Sequence, residues 1–165
     1  MNLKSLPIQF GSLSLFVFLS GNALCLPNDK TQPTQFSSDS QTLNLKDGLV
    51  TWLGSAKFSQ GSLEIEADKI VVTLDKNQKP THMIATGAPA HFKQQPEADK
   101  AVIHGEALAV TYDVKTEIVT LEKNAQVEQD GATTRGAQFD YDIKSSNLKA
   151  SGGVTTVIPP KADAK

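Results

Sequence analysis

The sequence predicts an all-β domain, an antiparallel meander built from repeated strand–turn–strand units, and three observations lead there. Apolar and polar residues alternate with period two in one short segment after another beyond Asn28, with no amphipathic helix between them. Turn signals punctuate those segments, among them KDG at Lys46–Gly48, DKNQKP at Asp75–Pro80 and QDG at Gln129–Gly131. One strand is also written three times, as ADKIVVTLDK from Ala67, GEALAVTYDVK from Gly105 and GAQFDYDIK from Gly136.

The elements follow in order. Residues 1–25 carry Lys4 and the apolar run FGSLSLFVFLSG, Phe10–Gly21, too short to cross a bilayer comfortably and read as a signal peptide with cleavage after Ala23 or Cys25. Leu24 stands where a lipoprotein signal wants a small residue, which argues against lipidation of Cys25. Cleavage after Cys25, the only cysteine, would leave no thiol and no disulfide. Residues 26–160 form the β domain and 161–165 a short tail.

Four units then repeat. The first is SDSQTLNLKDGLVTWLGSAKFSQG from Ser38 and the second EADKIVVTLDKNQKPTHMIATGAPAHFKQ from Glu66. The third is HGEALAVTYDVKTEIVTLEKNAQVEQ from His104, and the fourth RGAQFDYDIKSSNLKASGGVTTV from Arg135. Each runs out, turns, runs back and enters a further strand through a small pivot: Gly54, Gly87 and Gly152, with Lys123 in the third unit. Such units bury their apolar faces only against neighbours. EADKAVIHGEALA, Glu97–Ala109, reads as loop followed by strand.

Parity sets facing. Leu63 and Ile65 alternate with Glu64 and Glu66, Leu43 and Leu45 flank Asn44, and Phe139 and Tyr141 flank Asp140, so one face is apolar and the other wet. The same count turns Trp52, Phe58, Ile70, Val72, Leu74, Phe92, Val110, Tyr112, Val127 and Val157 inward. A slip of one residue would reverse them all.

Composition narrows the function classes. With 165 residues the chain suffices for one domain with a core, and 39% hydrophobic against 21% charged residues is a globular balance rather than a disordered one. A net charge of −2 without a basic block excludes a phosphate-backbone reader, so no nucleic-acid partner is expected. His82, His91 and His104 lack ligand spacing, no metal site is expected, and Glu64, Glu66 and Asp68 fall on the solvent side, where charge opposes aggregation. No nucleophile elbow, P-loop or dinucleotide fingerprint is present. The chain therefore reads as a protein without catalytic residues or cofactor. Periodicity alone does not separate a filled structural β-scaffold without ligand from a lined groove.

The run SDSQTL…GLVTWLGSAKFSQGSLEIEADKIVVTL, with GEALAVTYDVKTEIVTLEKNAQVEQ and GAQFDYDI…VTTVIP, resembles the OstA-like domain of the LptA family of periplasmic lipopolysaccharide transport proteins, over Gln32 to Pro159. The resemblance implies a single antiparallel, slightly twisted β-jelly roll open at both ends, located in the periplasm, with lipid A acyl chains in its apolar interior. It implies partners as well: an LptC-like inner-membrane component, an LptD-like outer-membrane component, and further copies joined head to tail by strand addition. An LptC-like role for the chain itself would need a retained membrane anchor. Carried onto this chain, the lining would be Thr34, Phe36, Leu43, Leu45, Trp52, Phe58, Ile65, Ile70, Val72, Leu74, Phe92, Val110, Tyr112, Leu121, Val127, Phe139, Tyr141 and Val157. Thr34 stands where the family often has an apolar residue, and Lys123 replaces a common pivot glycine.

Overall fold

A computed structural model describes residues 29–160; the expected signal segment 1–25 with Cys25, and the tail 161–165, lie outside the described residues. A 3-10 turn at Asp29–Thr31 leads into ten strands: β1 Thr34–Ser37, β2 Ser40–Asn44, β3 Leu49–Gln60, β4 Leu63–Leu74, β5 Pro80–Gln94, β6 Ile103–Asp113, β7 Ile118–Gln129, β8 Ala132–Asp142, β9 Asn147–Ser151 and β10 Thr155–Val157. All pairs are antiparallel, and the sheet runs β1-β3-β4-β5-β6-β7-β8-β10, with β2 also on β3 and β9 also on β8. The two ends of the sheet do not pair with each other, so it is an open roll rather than a barrel. Glu97–Ala109 is loop followed by β6, as the sequence indicates.

The repeated acidic residue at the end of the repeated strand has a structural cause. Asp75 Oδ1 accepts from the backbone N–H groups of Asn77 and Lys79, both at 2.8 Å, Asp113 Oδ1 from Thr116 at 2.7 Å, and Asp142 Oδ1 from Lys144 at 2.9 Å. These side chains close the turns that follow β4, β6 and β8. Backbone N–H donation holds the carboxyls of Asp113 and Asp142 below their usual range.

The pivots do not separate strands, as the sequence suggested for Gly54, Gly87 and Lys123, but sit inside long strands as bulges. Between Leu53↔Lys69 and Ala56↔Ala67, β3 has one residue more than β4, at Gly54–Ser55. β5 carries two extra residues around Gly87–Pro89, and β7 one at Lys123–Asn124. Gly152–Gly153, between β9 and β10, is the last of the row. A bulge bends its strand and adds twist, and a whole row of them folds the sheet over into two facing layers. Gly54 and Gly152 take φ of +78° and +75°, conformations that glycine adopts without a Cβ penalty. Lys123 and Asn124 take +66° and +59° without glycine.

We call the half of the sheet that ends in the Asp turns the upper layer and the other half the lower. Contacts across the interior join them: Phe58 of lower β3 meets Tyr112 of upper β6 at 6.3 Å between ring centroids, and Phe92 of lower β5 meets Tyr141 of upper β8 at 5.8 Å.

Candidate functional site

The apolar interior is assembled row by row through the register. One upper row runs Leu43–Val50–Val72–Met83–Tyr112–Val119–Tyr141–Leu148. A second runs Gln41–Trp52–Ile70–Ala85–Val110–Leu121–Phe139–Ala150. The lower layer answers with Phe36–Phe58–Ile65–Phe92–Gly105–Val127–Thr134–Thr156. Paired residues in an antiparallel sheet project to the same side, so every row faces inward along its length.

The residues singled out in the sequence fall into three groups. Phe58, Ile65, Ile70, Val72, Phe92, Val110, Tyr112, Leu121, Val127, Phe139 and Tyr141 are buried, and Phe36, Trp52 and Leu74 are half-buried against them. Thr34, Leu43, Leu45 and Val157 are exposed, the last three at 54%, 63% and 55%. Leu43 keeps inward parity but lies on edge strand β2 with nothing beyond it, and Leu45 falls in the turn before β3 rather than in a strand. Val157 corrects the inward expectation outright. It pairs with Thr133, which pairs with Glu128 on the wet face, while Thr156 takes the inward position. Counting straight on from inward Leu148 and Ala150 reaches Thr156, so Val157 falls outside the inward parity of its own segment.

The interior also uses residues that the sequence reading did not assign to the lining: Val50, Leu63, Met83, Ile103 and Val119, with small side chains at Ala56, Ala85, Ala90, Ala107 and Ala125. Their signal was available: Val50, Met83, Ala85 and Val119 occupy the rows above, and the others lie two residues from an inward neighbour on their own strands. Burial raises the hydroxyl pKa of Tyr112 and Tyr141, which keeps both rings neutral inside. Packing between the layers is tight. A Cβ on inward-facing Gly105 would collide with the Leu121 side chain and lie 3.2 Å from Phe92 Cδ1.

On the first edge the interior opens beside Phe36. A cavity of about 210 Å³ is lined by Thr34, Phe36, Phe58, Gln60, Val72, Pro80, Met83, Tyr112 and Val114. It lies between the lower ends of β1 and β3 and the upper ends of β4, β5 and β6. Phe36 forms its lip, stacked on Trp52 at 4.1 Å and 11° and set 5.2 Å from Phe58. Beside it the 3-10 turn at Asp29–Thr31 is clipped down. Asp29 accepts from the Ser62 backbone N–H at 2.7 Å, the Ser62 hydroxyl at 2.8 Å and the Gln94 amide at 3.0 Å.

The outer face of the lower layer is wet and charged. Lys57 Nζ lies 2.8 Å from both Glu64 and Glu66, and Lys93 lies 3.4 Å from Glu64. The Glu64 hydrogen bond, with help from Glu66, raises the Lys57 pKa, and Lys57 in turn holds Glu64 below the usual carboxylate range. His91 Nδ1 is 3.5 Å from Glu106, and on the upper layer His82 Nδ1 is 3.4 Å from Asp113. Among the described residues no three His, Cys, Asp or Glu side chains are grouped to hold a metal ion.

Comparison with known proteins agrees with this geometry. Residues 35–147 match the family model described as LptA/(LptD N-terminal domain) LPS transport protein. The lipopolysaccharide export system protein LptA of Haemophilus influenzae is 37% identical, over 97% of this chain and 95% of that protein. LptH of Pseudomonas aeruginosa, another lipopolysaccharide export system protein, is 31% identical over 97% of this chain and 92% of its own length. The crystal structure of that organism's LptH, described as the LptA-homologous periplasmic component of the conserved lipopolysaccharide transport device, superposes with a TM-score of 0.75 at 28% identity, covering 81% of this chain and 100% of that one. An open antiparallel roll, an apolar interior and two unpaired sheet edges thus coincide with sequence similarity along almost the whole chain: it belongs to the LptA/LptD N-terminal-domain family of lipopolysaccharide transport proteins.

Proposed function

We propose that this protein shelters the acyl chains of lipid A between its two apolar layers, admits them at the mouth beside Phe36, and joins other copies head to tail. In this reading the joined copies span from an LptC-like inner-membrane component to an LptD-like outer-membrane component. The chain is a periplasmic, non-catalytic member of a lipopolysaccharide transport family, and residues 1–25 fit an export signal removed from a domain at 26–160.

The observation that carries the reading is the cavity on the first edge. Its walls are the aromatic and aliphatic side chains Phe36, Phe58, Val72, Met83 and Tyr112, while charge is kept to the outer face at Lys57, Glu64 and Glu66. Each methylene sheltered from water is worth roughly 0.8 kcal/mol. The attraction is non-directional, so an acyl chain can advance along the wall without breaking specific hydrogen bonds. Beyond the mouth the core is filled by its own side chains. Deeper entry therefore requires the layers to part about the bulge row, with acyl chains replacing the contacts the layers give up. An open sheet permits this motion, whereas a closed barrel would resist it.

A photo-crosslinker at Phe36 or Trp52 is expected to capture lipopolysaccharide in growing cells, and one at Glu64 or Glu66 is not. Equal labelling at both sets would show that lipid does not distinguish the faces and would return the fold to a structural scaffold.

A further inference from the structure

We infer that Ser62 and Gln94 form a receptor for a phosphate on the sugar head of the transported lipid, a seat that Asp29 fills in this structure. This rests on the reading above, in which acyl tails enter beside Phe36, and adds where the head is held.

Three donors converge on one carboxylate at the lip of the lower layer. Asp29 Oδ1 accepts from the Ser62 backbone N–H at 2.7 Å, and Oδ2 from the Ser62 hydroxyl at 2.8 Å and the Gln94 amide at 3.0 Å. The sheet positions these donors independently of Asp29. Ser62 lies in the turn between β3 and β4, and its Oγ accepts from the Gln95 backbone N–H at 3.3 Å. The Gln95 carbonyl, 3.1 Å away, is an alternative acceptor for the same hydroxyl. Gln94 ends β5 and is 3% exposed. Gly61 leaves the room: its φ is +61°, and a Cβ there would collide with Asp29. Hydrogen bonds to an ionised acceptor are roughly twice as strong as neutral ones, so neutral donors in this number suffice to hold an anion.

A carboxylate does not use everything the seat offers. Gln94 Oε1 is buried, and among the described residues nothing donates to it, which is costly for an amide acceptor. A phosphorylated sugar carries O–H or N–H groups beside its anionic oxygens and would supply the missing donor. An aspartate side chain has none to give.

The seat also lies where a head would arrive. Gln60, two residues before Ser62, lines the mouth cavity and donates from Nε2 to the Gln32 carbonyl at 3.3 Å, so the turn that carries Asp29 borders the mouth. From there its charge reaches across the gap between the layers. After burial, it is among the charges that raise the hydroxyl pKa of Tyr112 and Tyr141 on the upper layer. Exchange of Asp29 for a phosphate replaces one anion by another at a place where the fold already accommodates one.

Trp52 emission, followed while diphosphoryl lipid A or dephosphorylated lipid A is titrated into the purified protein, tests the seat. Asp29→Ala removes the competing carboxylate and should widen the preference for the diphosphoryl form about tenfold over wild type, the scale of one hydrogen bond to a charged group. Adding Gln94→Leu should take that gain away again. Ser62→Ala, a smaller change in a turn, carries the same test if Gln94→Leu does not fold by circular dichroism. A preference that stays the same in wild type, in Asp29→Ala and in the double variant overturns the phosphate seat and leaves the sheltering of tails standing. An unchanged preference together with a shift of the Ser62 amide NMR signal of Asp29→Ala on adding inorganic phosphate alone would assign the seat to a free anion and overturn the lipid head as its ligand. Binding of neither lipid overturns the sheltering reading itself.

Discussion

Phe36→Ala isolates the mouth from the rest of the interior. Phe36 is half-buried at the lip of the cavity, where its ring stacks on Trp52 at 4.1 Å, and Trp52 is the only tryptophan in the chain. An aromatic side chain offers about 150–250 Å² of contact surface. An acyl chain covering about 60 Å² of it gains about 1.5 kcal/mol at ~25 cal/mol per Å², so the substitution should weaken lipid A binding roughly tenfold. Trp52 supplies the assay, since a chain entering beside its ring changes its emission, and titration of lipid A into wild type and variant gives both affinities. Glu66→Gln, on the charged outer face, serves as the control and should bind as wild type does. Removing a half-buried ring at an edge costs stability too, by less than the 3–5 kcal/mol of a fully buried phenylalanine, so urea melts must show both proteins folded under the assay conditions. An affinity within twofold of wild type, with Trp52 still responding to lipid, would show that acyl chains enter elsewhere.

Two further outcomes follow from packing and charge. Gly105→Ala drives a methyl group into the space held by Leu121 and Phe92, and should cost about 1–3 kcal/mol in urea unfolding; an unchanged midpoint would mean that the layers are not pressed together at that point. Glu64 is held below the usual carboxylate range by its hydrogen bond to Lys57. Its folded value lies under the unfolded one near 4.3, so the pair contributes stability above about pH 4.3 and loses it as pH falls through the folded value. The contribution is no more than about 1 kcal/mol, because Lys57 is 41% and Glu64 28% exposed. The fall of the urea midpoint between pH 5 and 3 should be shallower in Lys57→Met than in wild type, and equal slopes would refute the linkage.

What the sequence disclosed, and what it withheld, divide along physical lines. Alternation within a strand is local, so Ile70, Val72, Phe139 and Tyr141 could be turned inward by counting, and they are buried. Counting fails where a smooth strand passes the fold of the sheet: inward parity changes between Ile65 and Ile70 in β4 and between Ala107 and Val110 in β6. The single-residue bulges keep the count in step, from Leu121 to Ala125 across Lys123–Asn124 and from Leu148 to Thr156 across Gly152–Gly153, which leaves Val157 on the wet face. Neither does counting show what covers a residue, so Leu43 has inward parity and stays exposed at an edge. The pairing of layers was the least legible part. That Phe58 meets Tyr112 and Phe92 meets Tyr141 depends on where the sheet folds over, which no single strand records. The clip of Asp29 on Ser62 and Gln94 is long-range in the same way.

The filled interior bears on speed. A standing apolar tunnel would hold a lipid for the full value of its buried tail and release it slowly. On the proposed reading an arriving tail would displace Tyr141, Phe92, Leu121 and their neighbours, which are already buried, so only the difference between two apolar environments would remain as grip. Small differences mean short residence times, and a relay of identical stations conducts fastest when no station holds its cargo much more tightly than the next. On the same reading, self-packing would leave an idle station with little void for stray membrane lipid to occupy, and throughput and selectivity would both begin with a core packed on itself.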